Sequence, residues 1–258
     1  MSKEHTFFGV LLFYSSDSGI IKCQIMPVSK GAMPILLQEL REQVVYYVRQ
    51  MLQSGLTMHT GGNLSVRDRE SGLIAIKPSS KPYDLLKPED ITVIDIEGNI
   101  VDGPYKPSSE WPMHTLIYKT YPRVCAVVHC HSIYATAAAA AGQEIPLFNH
   151  ELCMYCSSPV RVMPFEIPGS DALGESAIRG FGEDNCVTLL QNHGPIAMGA
   201  SMWHAFDAAC AVEQAAHALF ITKAYGQLQL IPEEGRAALR RCDPLQKPDT
   251  GKVEIVAV

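Results

Sequence analysis

Two histidines separated by one residue, His129 and His131, end the short apolar run 126–128 and could together bind a metal ion. A run of this composition is typical of a β-strand, in which alternate side chains point to the same face. His129 and His131 would then project to one side of the strand and Cys130 to the other. The pair could equally be two unrelated surface histidines, and other parts of the sequence have to decide between these interpretations.

A third histidine and a carboxylate occupy comparable positions elsewhere in the chain. His193 comes shortly after the apolar run 186–190, so it also lies near the end of a predicted strand. Glu110 follows Ser108 and Ser109 in the first turn of a predicted helix, where the helix dipole favours a carboxylate, although a plain serine cap explains the same residues. Three imidazoles and one carboxylate suit Zn²⁺ and are acceptable to Mn²⁺ or Co²⁺. A carboxylate released from the metal when substrate enters could transfer protons.

Three segments could bind an anion such as a phosphate. Segment 60–66 is glycine-rich and ends in a predicted strand, but a tight turn before a strand accounts for it as well. Segment 77–83 is a loop with two prolines, two lysines and two hydroxyls, and segment 107–110 offers hydroxyls and free N–H groups at a helix start. The candidate phosphate-binding residues are Gly62, Asn63, Ser79, Ser80, Ser108 and Ser109.

Periodic apolar residues predict the elements that position these groups. An opening helix is predicted from Pro34 to a stop at Gly55, and a hairpin is predicted with its turn at 97–99. Further strands are expected at 73–76 and 186–190, and further helices at 133–141 (with Ser132 as its cap), 171–180 and 202–225. His114, His204 and His217 lie in predicted helices and are interpreted as structural.

Composition narrows the class of protein. The chain has 258 residues, of which 47% are hydrophobic and 19% charged, as expected for a globular enzyme. A net charge of −6 without a basic stripe argues against nucleic acid as a partner, and the apolar run 7–14 is too short to span a membrane. Scattered cysteines favour the reducing cytoplasm, while a redox role for Cys153 and Cys156 is the alternative.

Five segments in this order resemble the class II aldolase/adducin family. They are 60–65 (TGGNLS), 77–80 (KPSS), 107–111 (PSSEW), 127–132 (VVHCHS) and 191–195 (QNHGP). The resemblance covers about residues 34–228 and leads us to expect an N-terminal appendage at 1–32, whose order the sequence leaves open, a family domain at 33–240 and a C-terminal tail at 241–258.

The resemblance implies an α/β fold, a three-layer αβα arrangement with a central, largely antiparallel sheet, assembled as a homotetramer with active sites between subunits. It implies that His129, His131 and His193 hold Zn²⁺, with Glu110 as fourth ligand and general acid/base, and that the six candidate residues above bind the substrate phosphate. The implied activity is reversible cleavage of a short (deoxy)ketose 1-phosphate, such as L-fuculose 1-phosphate, to dihydroxyacetone phosphate and an aldehyde. Zinc would act as a Lewis acid while Glu110 takes the carbon-bound proton.

Two departures from the family pattern affect the aldehyde side. Counting from Ile145-Pro146 places His150 where the fuculose-phosphate enzymes of the family have a proton-donating tyrosine, so we expect His150 to take that role, with Tyr155 as the alternative. A surface histidine without a role is the remaining interpretation of His150. The tail 243–258 contains no tyrosine to help close the site.

Other functions on the same scaffold stay open. A decarboxylase of a phosphorylated oxo-acid, a dehydratase or a pentulose-phosphate 4-epimerase would use a similar site, although the related epimerases carry aspartate where Glu110 stands. A non-catalytic, adducin-like scaffold would have no need of the three histidines.

Overall fold

The computed structural model describes residues 11–15, 21–25 and 35–240. Within the first 35 residues, strand β1 (Leu11–Ser15) pairs antiparallel with β2 (Ile21–Ile25). The other residues of the predicted appendage 1–32, and the predicted tail 241–258, lie outside the described residues.

The unit that begins at Leu36 contains one mixed sheet and the helices that cover it. Its strands are β3 (Asn63–Arg67), β4 (Ile74–Ile76), β5 (Thr92–Ile94), β6 (Ile100–Asp102), β7 (Ala126–His129), β8 (Val162–Met163), β9 (Val187–Leu190) and β10 (Gly194–Gly199). Its α-helices are α1 (Gln38–Gln53), α2 (Trp111–Thr120), α3 (Ile133–Ala140), α4 (His150–Cys153), α5 (Asp171–Phe181), α6 (Met202–Tyr225) and α7 (Glu233–Leu239). No helix in the described part of the chain is long and apolar enough to cross a membrane.

The sheet has the strand order β6-β5-β4-β3-β7-β10-β9-β8. Each neighbouring pair is antiparallel except β8 and β9, which run parallel. Helices α1, α3 and α6 pack on one face of the sheet, and α2 and α5 lie on the other. The architecture is therefore the expected αβα fold with a largely antiparallel sheet.

Side chains along the central strands alternate between the two faces of the sheet, and a separate hydrophobic core lies on each face. In β7, Ala126 and Val128 pack towards α6 while Val127 packs on the side of α2 and α5. The predicted opening helix is present as α1, and Val44 and Val48 on its inner face are fully buried. Burying each such side chain contributes about 1.5–3 kcal/mol to stability.

Two helix starts differ in part from the expectations. Ser132 is the N-cap residue of α3, as predicted, but its side chain makes no capping bond; the carboxylate of Glu213 accepts the N–H groups of Tyr134 and Ala135 at 2.9 and 2.8 Å. Glu110 occupies the N-cap position of α2, one residue before the helix begins, and not its first turn. In both cases a residue distant in sequence or a backbone turn satisfies the helix start, and local spacing does not reveal it.

Candidate metal centre

Three central strands start or end at the same place in the sheet. β3 begins at Asn63 and β7 ends at His129, and the antiparallel register sets these two residues directly opposite each other. On the other side of β7, Ile196 of β10 is the register partner of His129, so the turn before β10 carries His193 back to the same edge. Asn63, His129 and His193 are thus brought together by strand pairing.

The three predicted histidine ligands meet at this edge. The Nε2 atom of His129 lies 3.1 Å from Nε2 of His131 and 3.2 Å from Nε2 of His193. A tetrahedral zinc ion with Zn–N distances of about 2.0–2.1 Å holds its nitrogens about 3.3–3.4 Å apart. Among the described residues, one group of three or more histidine, cysteine or acidic side chains has its ligand atoms this close together, and it consists of His129, His131 and His193. Their spacing fits a tetrahedral metal ion.

The protonation of His129 suits ligation. Its Nδ1–H donates to the carbonyl of Pro195 at 3.0 Å, which leaves the lone pair on Nε2 facing the other two rings. Burial lowers the pKa of His129 to about 3, so the ring is neutral at pH 7. Burial likewise lowers the pKa of His131, and the nearby His193 adds to that effect. The lone pair on His129 Nε2 is therefore available to a bound cation.

Glu110, the predicted fourth ligand, lies beside two of the three rings. Its carboxylate is nearly fully buried, with Oε1 3.1 Å from Nε2 of His193 and Oε2 3.4 Å from Nε2 of His129. Burial by itself raises the pKa of this carboxyl, but His129, His193 and the amide of Asn63 outweigh burial and hold the pKa below its ordinary range. The Asn63 Nδ2 group donates to Oε2 at 2.7 Å. Glu110 is therefore an anion in position both to bind a metal and to accept a proton.

The two predicted serine loops pair with each other beside Glu110. Pro78 and Pro107 form an isolated antiparallel bridge, the Ser79 N–H donates to Lys106 O, and the Ser108 N–H donates to Lys77 O, both at 3.0 Å. Ser79 and Ser80 are thereby set alongside Ser108 and Ser109. The Glu110 N–H also donates to Ser108 Oγ at 3.4 Å, which ties the serines to the carboxylate.

Tyr83 holds the glycine-rich segment 60–66 in place through hydrogen bonds to its backbone. The Tyr83 hydroxyl contacts the carbonyls of Gly61 and Gly62 at 2.6 and 2.7 Å, and Gly62 packs against the carbonyl of His129 with φ of +69°. Of the two candidates in this segment, Asn63 uses its side chain to bond Glu110, and Gly62 is buried. Their assignment to a phosphate stays a prediction.

Sequence reasoning gave no individual role to Lys77, which begins the KPSS segment. Its side chain is buried, Nζ donates to Thr60 O at 3.1 Å, and the ammonium lies 4.9 Å from the centre of the Tyr83 ring. Burial lowers its pKa to about 8, and Glu110 partly offsets that shift. Lysine is rarely buried, so composition alone gives no signal for this position.

The proton-donor candidates lie elsewhere in the protomer. His150 is exposed at the start of α4, with its ring 3.8 Å from the Glu151 carboxylate, and it is not part of the histidine cluster. Tyr155 is buried and its hydroxyl donates to Asp207. The role of His150 stays a prediction. Cys153 and Cys156, the redox alternative, are both buried.

Comparison with known proteins identifies similar chains. Residues 42–220 match the family model described as Class II Aldolase and Adducin N-terminal domain. A 5-deoxy-D-ribulose 1-phosphate aldolase of Bacillus thuringiensis serovar kurstaki is 40% identical over 200 residues, covering 78% of this chain and 93% of that protein. An L-ribulose-5-phosphate 4-epimerase UlaF of Salmonella paratyphi B is 33% identical over 204 residues, covering 72% and 86%. The solved structure of an L-fuculose 1-phosphate aldolase superposes with a TM-score of 0.75 at 32% identity, covering 81% of this chain and 97% of that one.

Proposed function

The chain belongs to the class II aldolase/adducin family, and from this premise we propose that it is a zinc-dependent aldolase. The proposed reaction is reversible cleavage of a short deoxyketose 1-phosphate to dihydroxyacetone phosphate and an aldehyde. The observation that carries the proposal is the buried anionic Glu110 beside His129 and His193, two of the three clustered histidines. A carboxylate next to a metal site is suited to abstract the proton of a carbon beside a metal-bound carbonyl.

The names of two relatives guide the choice of substrates to test. The similar Bacillus protein is named for 5-deoxy-D-ribulose 1-phosphate and the superposed structure for L-fuculose 1-phosphate. Both compounds are ketose 1-phosphates that end in a methyl group, and cleavage between carbons 3 and 4 gives dihydroxyacetone phosphate from each. We therefore propose 5-deoxyribulose 1-phosphate as the first substrate to test, with acetaldehyde as the second product, and L-fuculose 1-phosphate as the next.

Each part of the site then has a proposed task. His129, His131 and His193 hold the metal, which when bound supplies Lewis-acid polarisation of the substrate carbonyl. Mn²⁺ or Co²⁺ would be acceptable substitutes for Zn²⁺. Glu110 takes the proton from the carbon next to that carbonyl in the addition direction and returns it after cleavage. Gly62, Asn63, Ser79, Ser80, Ser108 and Ser109 bind the phosphate, with the ammonium of Lys77 close by.

Assembly is part of the proposal. We propose a homotetramer in the cytoplasm, with His150 acting on the aldehyde oxygen of a site in a neighbouring subunit. The exposure of His150 and its separation from the cluster in its own protomer support a role across an interface.

An epimerase is the second candidate function, and the 33% identical relative named L-ribulose-5-phosphate 4-epimerase favours it. An epimerase inverts the configuration at one carbon of its substrate and releases no fragment. Glu110 argues for the aldolase, since the related epimerases carry aspartate there. A decarboxylase of a phosphorylated sugar acid would use the same ligands, and its product distinguishes it from an aldolase.

The test is product analysis with metal-loaded protein. Each ketose 1-phosphate is incubated with and without chelator, and dihydroxyacetone phosphate is coupled to NADH oxidation; L-ribulose 5-phosphate is followed separately for epimerisation. Chelator-sensitive release of dihydroxyacetone phosphate is expected. Conversion of L-ribulose 5-phosphate without any such release would overturn the aldolase in favour of the epimerase.

Glu110→Gln is the matched variant for this assay. It keeps the size of the side chain but removes the base, so turnover should fall by about 10²–10⁴-fold while the fold is retained. Circular dichroism checks the fold, and appreciable remaining turnover would refute the role of Glu110.

A further inference from the structure

A second buried histidine, His114, lies one helical turn after Glu110 and is not a metal ligand. It is fully buried on α2, with its two ring nitrogens bonded on opposite sides. Nε2 lies 2.5 Å from Oδ1 of Asn63, and Nδ1 lies 2.7 Å from Oγ of Ser65. Asn63 in turn donates to Glu110, so His114 is connected to the carboxylate through one amide.

The direction of each hydrogen bond in this chain follows from chemistry. An ionised Glu110 only accepts, so the Nδ2 side of the Asn63 amide faces it and Oδ1 faces His114. Because that oxygen only accepts, Nε2 of His114 has to carry a proton. Burial lowers the pKa of His114 to about 4, so the ring is neutral and Nδ1 accepts from the Ser65 hydroxyl. The Tyr118 hydroxyl lies 2.8 Å from Ser65 Oγ and donates to the Ser65 carbonyl at 3.0 Å.

From Ser65 through His114 to Asn63, each donor therefore points towards Glu110. This polarity is opposite to that of His129, whose Nδ1 carries the proton and whose Nε2 is bare. The two buried histidines hold opposite tautomers, and the partner of each one selects it. His129 thus offers a lone pair to a metal, while His114 offers an N–H to an amide.

We infer that His114 is a positioning residue: its Nε2–H fixes the orientation of the Asn63 amide, which then holds Oε2 of Glu110 and leaves Oε1 for the metal and the substrate proton. The inference rests on the proposed function for its catalytic consequence. If the amide rotated by half a turn, its oxygen would face the carboxylate and repel it. A donor at the His114 position also opposes that rotation, because the Asn63 side chain is buried and its amide oxygen accepts from His114.

The tautomer can be measured without any activity. Long-range ¹H–¹⁵N correlation spectra of metal-free, ¹⁵N-histidine-labelled protein should show His114 protonated on Nε2 and not on Nδ1, with assignment by loss of the signal in a His114 variant. His129 should show the reverse. A His114 ring protonated on Nδ1 alone would overturn the inference.

Two variants separate positioning from bulk structure. His114→Leu removes both hydrogen bonds, whereas His114→Gln retains one N–H donor and one acceptor. We expect His114→Leu to lower kcat by about 10–100-fold with little change in KM, and to weaken zinc binding in a competition with a chelating dye. His114→Gln should recover most of both properties. Equal losses in the two variants, with both folded, would contradict a donor role.

Ile117→Ala provides the control for stability. Ile117 is buried on the same helix, so its truncation leaves a cavity but does not touch the hydrogen-bond chain. It should lower Tm while kcat stays within about 2-fold of the wild-type value, well short of the loss expected for His114→Leu. If Ile117→Ala loses kcat as His114→Leu does, the role of His114 is only structural. If the wild-type protein cleaves no ketose phosphate, the proposed function fails. The tautomer of His114 and the zinc affinities of the variants then still test whether His114 is a positioning residue.

Discussion

Substituting Gly62 by alanine should damage the metal centre without touching a ligand. Gly62 has φ of +69°, and a Cβ there would lie 2.5 Å from the carbonyl oxygen of His129 and 3.1 Å from Cα of Cys130. Ordinary van der Waals contact begins at 3.4 Å, so the backbone segments at Gly62 and at His129 would have to separate by 3.4 − 2.5, or 0.9 Å. The atoms that must move belong to the backbone of His129 and Cys130 at the end of β7, next to the proposed ligands His129 and His131.

The expected cost has two parts. A left-handed backbone conformation costs a residue with a Cβ about 1–2 kcal/mol relative to glycine. Overpacking against a rigid neighbour adds about 1–3 kcal/mol. The free energy of unfolding should therefore fall by about 2–5 kcal/mol, and zinc affinity should fall as well, because His129 and Asn63 face each other across this strand pair.

Gly55→Ala is the matched control. Gly55 has φ of +70°, and a Cβ there would meet nothing within 4 Å. It carries the same backbone cost without the collision, so the difference between the two variants measures the collision alone. Urea unfolding of metal-free protein gives both free energies, and dye competition gives zinc affinity. Equal losses in the two variants, or unchanged zinc binding in Gly62→Ala, would refute the packing argument.

Three further predictions concern pH, a backbone position and the proton donor. Burial lowers the pKa of His114 from 6.5 to about 4, so between these values the unfolded chain binds a proton that the folded chain does not. This contribution to stability is complete above pH 6.5, and the free energy of unfolding should fall by about 3 kcal/mol as the pH is lowered to 4. Urea unfolding of the metal-free proteins should therefore show a steeper pH dependence for the wild type than for His114→Gln. Asn192 precedes His193 and has φ of +56°, a backbone conformation that glycine adopts easily and valine does not. Asn192→Gly should therefore keep the stability and the zinc affinity, whereas Asn192→Val should lower the free energy of unfolding by about 1–2 kcal/mol and weaken zinc binding. Equal unfolding midpoints for the two variants would contradict this prediction. His150→Ala should lower kcat for cleavage at least about 10-fold with zinc content unchanged, and full activity would leave His150 as a surface residue.

Local physics accounts for the parts of the site that the sequence predicts. Alternation in a strand places His129 and His131 on one side, and their Nε2 atoms do lie 3.1 Å apart although β7 already ends at His129. The last long helix begins and ends at the predicted residues, 202 and 225, because Ser201 caps it and Gly226 follows it. Such signals are carried by neighbours in sequence.

Long-range contacts account for what the sequence leaves out. Asn63 bonds Glu110 and His114, which are 47 and 51 residues away, and the packing of α2 on the sheet brings them together. The same is true of Glu213, which replaces Ser132 at the start of α3 from 78 or 79 residues away. A histidine one turn into a helix is ordinary by pattern, so the role of His114 emerges only from its partners.

The bridge between Pro78 and Pro107 sets how far apart the two ends of a substrate would be held. Ser108 lies in the paired loops and Glu110 follows it by two residues, with the Glu110 N–H bonded to the Ser108 hydroxyl. Under the proposed function, the distance from phosphate to reacting carbon is then fixed within one short segment. Selection of the three-carbon phosphate fragment and selection of the aldehyde would depend on different residues. Directed change of aldehyde preference could therefore proceed at positions such as His150 while the phosphate fragment stays the same.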